Sequence, residues 1–144
     1  KPCFGQEASL HPLTRYIEGL QALDPDEGQR VMFFALAGVP PDLVDEARRK
    51  RFTFERGSTR KAFYDELLAD PRMQADGASK SGSQRQPACV GDTTGPAYPA
   101  RRLTEVARGF GRQGLVQSIC QDDYRPAIDA FIRAIARRLG TPDL

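Results

Sequence analysis

The residues of this chain that could do chemistry near neutral pH are few. They are one histidine, His11, and three cysteines, Cys3, Cys89 and Cys120. No two cysteines stand in a C-x-x-C spacing, so the set does not readily supply the four clustered ligands of a structural zinc. Ser-His-Asp catalysis would have to use His11, which falls at a helix start, and no G-x-S-x-G elbow presents a serine. Cys3 and His11 are the right residue types for a thiol dyad, but no surrounding motif supports one. The glycines at 109, 111 and 114 are spaced like a dinucleotide loop. They follow a helical pattern and precede a strand, however, which is the reverse of what phosphate binding needs, so they read as a turn. There is no Walker A sequence. Asp122 and Asp123 could ligate a cation, but aspartates just before an apolar-periodic stretch serve more often as helix caps. The sequence therefore shows no catalytic, cofactor-binding or metal-ligating constellation, and the chain reads as a binding protein rather than an enzyme.

The cysteines carry the remaining chemistry. Cys120 closes an apolar strand, where a free buried thiol is the ordinary occupant. The alternative is a bridge to Cys89, which lies in a Pro/Gly/Ser-rich stretch with little to hold a lone cysteine. Such a bridge would restrain that loop by about 3–4 kcal/mol in the chain-entropy account. It would also place the protein in an oxidising compartment: periplasm, cell surface or outside. Cys3 then has no partner within the chain. With Lys1 at the start instead of Met, this suggests upstream sequence that could supply one.

The elements that must position these residues follow from periodicity. Leu13, Tyr16, Ile17, Leu20 and Leu23 recur at helical spacing and predict a helix over residues 10–23, with Ser9 as its N-cap. Residues 31–37 are a short run of apolar residues bounded by Gly28 and Gly38, which fits a central parallel strand covered on both faces. Two helices follow, over residues 42–51 and 58–68, the second with Phe63, Leu67 and Leu68 inward. The basic run 48–51 reads as a solvated helix end, where cations suit the macrodipole. Residues 70–98 have almost no large apolar side chain and read as a flexible surface loop insertion. A helix beginning at Pro99 places Leu103, Val106, Ala107 and Phe110 on one face. The strand 115–120 comes next, then a helix capped by Asp122 or Asp123, with Ile128, Phe131, Ile132, Ile135 and Leu139 as an apolar stripe toward the core. Strand, helix, strand and helix in this order predict one α/β domain over 1–144. It is a partial doubly wound, Rossmann-like parallel sheet flanked by helices.

Composition bounds the function. The chain has 144 residues, 40% apolar and 28% charged, with a net charge of +2. That charge does not imply a nucleic-acid partner, which needs a concentrated basic face. Lys1, Lys50, Lys61 and Lys80 are the only lysines, so arginine dominates the cations, as genomic base composition would produce. No apolar run approaches the ~18 residues of a membrane span.

Several segments in combination resemble the C-terminal half of secreted bacterial von Willebrand factor type A (VWA)-like proteins. They are the run 30–40 containing Ala35-Leu36-Ala37-Gly38, the stretch Pro99-Ala100-Arg101-Arg102-Leu103, Phe110-Gly111, and Ser118-Ile119-Cys120-Gln121-Asp122-Asp123-Tyr124. The resemblance skips an insertion at about 41–97. It implies a doubly wound α/β fold, export (commonly as a surface lipoprotein), and binding or adhesion in place of catalysis. It also implies a disulfide between Cys89 and Cys120. Many such domains hold Mg²⁺ or Ca²⁺ on a D-x-S-x-S loop that this sequence lacks, so no metal ligand carries over. A cation is expected only if such a loop lies upstream, and the chain is expected to be an N-terminally truncated domain.

The leading expectation is thus an extracytoplasmic interaction or adhesion module whose partner is a protein or a surface polymer. One alternative is a remnant of a hydrolase or transferase on a similar sheet. The other is an arginine-rich nucleic-acid binder using residues 48–51 or the last helix.

Overall fold

The structure, a computed structural model, describes residues 7–23, 31–52, 57–74 and 86–140. Along them run α1 (Leu13–Gln21), β1 (Phe33–Ala37), α2 (Glu46–Arg51), α3 (Gly57–Ala69), β2 (Cys89–Gly91), β3 (Gly95–Ala97), α4 (Arg101–Gly109), β4 (Gly114–Ser118) and α5 (Arg125–Leu139). Cys3 lies outside the described residues.

The two apolar runs pair in parallel, from Phe33 opposite Gly114 to Ala37 opposite Ser118. Side chains alternate across a strand, so β1 serves two layers. Phe33 stacks on Phe110 beyond the end of α4, with ring centroids 5.4 Å apart. Phe34 points the other way and stacks on Phe131 of α5 at 4.7 Å. Helices α4 and α5 therefore lie on opposite faces, and the fold is mixed α/β with a small parallel sheet between helices. Among the described residues β1 pairs only with β4, so it is an edge strand and mostly half-buried. The expected central strand, covered all round, is corrected on this point. An uninterrupted apolar run reports burial of both faces, not the number of neighbouring strands.

The core is displaced to the α4 side and toward the strand ends. Val39, Leu43, Val44, Phe63, Tyr64, Leu67 and Met73 are almost wholly buried there, packed with Ala107 and Val116. Each large side chain so buried contributes roughly 1.5–3 kcal/mol. Phe52 meets Phe63 edge-on at 5.6 Å. Helix α3 starts one residue before the expected range and ends one after it, and Phe63, Leu67 and Leu68 point inward.

Several local expectations shift. Helix α1 starts at Leu13, after Pro12, whose fixed φ of −60° suits a helix entrance; Ser9 instead ends a tight turn, Glu7–Ser9. The loop expected over 70–98 carries structure where it is described. Asp70 caps the turn Pro71–Met73, and β2 and β3 form an antiparallel hairpin closed by Gly95 at φ +71°. Strands of three residues rich in Gly and Pro leave no periodic signal, because the turn and not the side chains sets their register. In α4 the inward face includes Thr104, whose hydroxyl donates to Ala100 O, while Leu103 is 46% exposed. Helix α5 starts at Arg125, and its cap residue is Tyr124; Asp123 nonetheless accepts the Arg125 N–H at 2.9 Å.

The largest departure is the α5 stripe. Ile128, Ile132, Ile135 and Leu139 are 41–74% exposed, while Ala127 and Ala130 face the sheet. Two strands about 4.8 Å apart offer a strip no wider than one helix of about 10 Å diameter, so only one narrow line of α5 can be covered.

Gly114 permits the sharp return from α4 into β4, since a Cβ there would lie 1.7 Å from Ala107 O. A disulfide joins Cys89 of β2 to Cys120, just past β4, with Cα atoms 5.9 Å apart and a sequence separation of 31. It fastens the hairpin to the exit of the sheet. Closing a ring of that size is worth about 3.5 kcal/mol in the chain-entropy account. The Cys89→Ala/Cys120→Ala double variant is expected to melt about 10 °C below the parent in scanning calorimetry. An unchanged melting temperature would show that the bond constrains little.

Candidate functional site

The residues singled out from the sequence separate in space. His11 is exposed and its ring accepts from the Arg15 guanidinium at 3.0 Å, one helical turn away. Asp123 is engaged by Arg125, whose guanidinium holds the carboxyl below its ordinary pKa. Among the described residues no group of three or more His, Cys, Asp and Glu side chains converges on a point that could hold a metal. The structure does bring Cys89 and Cys120 together, as the disulfide described above. Of the basic run at the end of α2, Arg48 pairs with Glu66 at 2.6 Å and Lys50 with Glu46 at 3.0 Å. No described helix is long and apolar enough to cross a membrane.

Two features remain that could bind something. The first is the outer face of α5. Spacings of four, three and four put Ile128, Ile132, Ile135 and Leu139 on one side of the helix. Leu36 of β1 is 42% exposed on the same face of the sheet as α5. Single exposed apolar residues are ordinary, but a row about three turns long on a 15-residue helix is a contiguous patch of the kind that marks interaction surfaces.

The second is a cavity of about 300 Å³ at the carboxyl ends of β1 and β4. In open α/β sheets this is where ligand crevices form. Its wall combines Gln117 of β4, Arg49 of α2 and Arg133 of α5 with the acidic residues Asp42, Asp45 and Glu46. The two sets differ in how they are satisfied. Asp42 takes a two-pronged contact from Arg72, at 2.8 Å for each oxygen. Asp45 accepts the Arg48 N–H as the α2 cap, and Glu46 pairs with Lys50. By contrast, Gln117 is 3% exposed, and among the described residues neither its Nε2 nor the buried Nε of Arg49 has a hydrogen-bond partner. Burial, with Arg133 and Arg137 nearby, pushes the Arg49 guanidinium below its ordinary pKa. No motif marks these residues, because they come from three separate elements. The one signal in the sequence is a glutamine inside an otherwise apolar strand.

A larger cavity, about 580 Å³, opens between α3 and α4 at the opposite end of β4. Two of its cations are engaged: Arg60 donates to Gly111 O at 2.6 Å, and Arg108 pairs with Asp65 at 2.8 Å.

No protein-family model matches the chain, and neither a curated protein nor a solved structure is significantly similar to it.

The cluster of Arg72 with Asp42 and Asp70 at the cavity rim has a pH signature. Hydrogen bonds from Arg72 hold both carboxyls below their ordinary value of 3.8. A depressed folded-state pKa contributes stability above the unfolded value and loses it as pH falls through the folded one. Replacing Arg72 with Ala is therefore expected to cost up to about 1 kcal/mol at neutral pH, limited by solvent screening. The difference from the parent should vanish well below pH 3.8. Urea titrations of both proteins across that range measure it.

Proposed function

We propose that this chain is an extracytoplasmic interaction module, akin to the C-terminal half of a VWA-like domain, that docks on another protein through the outer face of α5. The observation that carries the proposal is the row Ile128, Ile132, Ile135 and Leu139, exposed along the length of a helix whose inner line is alanine and Phe131. An apolar ridge of this kind fits a hydrophobic groove on a partner protein, with anchors at helical spacing. It suits a protein surface better than a carbohydrate polymer, which would be met by hydrogen-bonding side chains. The disulfide between Cys89 and Cys120 supports an exported protein, since such bonds persist in oxidising compartments. The absence of a D-x-S-x-S sequence leaves a metal-dependent adhesion step without residues in this chain.

Two measurements test the reading. In freshly lysed source cells, alkylation before reduction should leave Cys89 and Cys120 unmodified; full labelling of both would place the protein in a reducing compartment and remove the export argument. In a pull-down from surface and periplasmic proteins, the Ile132→Asp/Ile135→Asp variant should lose at least about tenfold of the retained partner, because buried apolar anchors dominate interface energy. Its melting temperature should stay near the parent's, since both positions are exposed. Equal retention by parent and variant would sink the docking face.

A further inference from the structure

We propose that the cavity at the carboxyl ends of β1 and β4 is a binding site for a small molecule bearing a single carboxylate, held by Gln117, Arg49 and Arg133. This goes beyond the docking role and is independent of it, since none of the three residues belongs to the apolar row of α5.

The argument rests on donors without acceptors. A buried amide nitrogen that makes no hydrogen bond loses the partner it had in water and costs about 1–3 kcal/mol. Buried polar groups are nearly always satisfied, so an exception calls for an explanation. Gln117 sits on the α5 face of β4, between Leu115 and the strand end, and lines the cavity with its Nε2 unpartnered. Arg49 reaches the same cavity from α2 and buries an Nε that donates to nothing among the described residues. Arg133 arrives from the middle of α5. Burial is the main cause of the lowered Arg49 pKa, with Arg133 and Arg137 adding to it and Glu46 and Asp45 opposing it. Two buried donors without acceptors on the wall of one cavity are the arrangement that an oxyanion would relieve.

The chemistry of the anion follows from the rest of the wall. Guanidinium forks match the two oxygens of a carboxylate. The rim carries Asp42, Asp45 and Glu46, so a doubly charged phosphate would meet more repulsion than a monoanion would. These acids already have partners within the fold, which leaves the donors as the recognition set. A cavity of about 300 Å³ stands at the small end of ligand pockets, which suits a small molecule and excludes a folded chain. The walls also include Val44 and Pro126, which suit a short aliphatic body on the carboxylate.

The test is a titration of the ¹⁵N-labelled protein with propionate and lactate, and with inorganic phosphate as the contrasting anion, following the Gln117 side-chain amide and the Arg49 Nε–H resonances. Saturable shifts of both with the carboxylates, and much weaker ones with phosphate, are expected. Gln117→Leu should weaken carboxylate binding about tenfold, the loss of one hydrogen bond to a charged acceptor. Arg49→Met keeps the apolar stem and should do the same or more, and it stands in if the leucine variant fails to fold. Shifts that do not saturate, shifts of equal size with phosphate, or affinity unchanged in a folded variant would each overturn the proposal.

Discussion

Everything in this fold answers to the parallel pairing of β1 with β4. A parallel pair cannot be closed by a tight turn, so the chain between Ala37 and Gly114 must leave the sheet, travel its length and return. That crossover holds α2, α3, the β2–β3 hairpin and α4, and its buried side chains make up most of the core. The point where the strands end is correspondingly secured. Ser118 is fully buried; its hydroxyl donates to Val39 O and accepts the Cys120 N–H at 3.1 Å, so one side chain joins the exits of both strands. Ile119 N continues the ladder to Ala37 O at 2.9 Å, and Ala100 N reaches Gly38 O at 3.1 Å. Gly38 has to be a glycine for this, because a Cβ would come within 2.0 Å of Tyr98 O.

The arginines that composition alone attributes to genomic bias have structural work in the crossover. Arg101 donates to Leu68 O and Met73 O, closing the open carbonyl end of α3 and the turn after it. Arg60 donates to Gly111 O and Gly114 O at the α4–β4 corner. Arg102 donates to His11 O and ties the entrance of α1 to α4. Hydrogen bonds from a charged donor contribute about 1.5–3 kcal/mol, more than the exposed carboxylate pairs nearby. The long planar fork also spans distances that a lysine ammonium would meet with one point contact.

The parts legible from the sequence are those with strong periodicity. The apolar run of β1, the strand ending near Cys120, and the helical spacing of Phe63, Leu67 and Leu68 all locate elements within a few residues of where they lie. What periodicity cannot convey is which face of an amphipathic helix finds a partner. The stripe through Ile128 and Ile135 is as regular as that of any buried helix, yet a sheet of two strands leaves it uncovered. The hairpin escapes notice because Gly-Pro-Ala carries no strand propensity and pairs by virtue of its turn. The donor-lined cavity is invisible for a different reason: Arg49, Gln117 and Arg133 are brought together only by the crossover.

Tyr64 stands at the junction of these features. It is wholly buried between α3 and the start of β4, and its hydroxyl donates to Gly114 O at 3.1 Å, beside Arg60. Burial pushes its pKa above the ordinary 10.0. The neutral phenol is therefore part of the native state. Above that value the unfolded chain sheds the proton readily while the folded chain resists, so alkali draws the equilibrium toward unfolding. A single phenol that must keep its hydrogen, at the corner where the crossover rejoins the sheet, thus makes the fold sensitive to alkali.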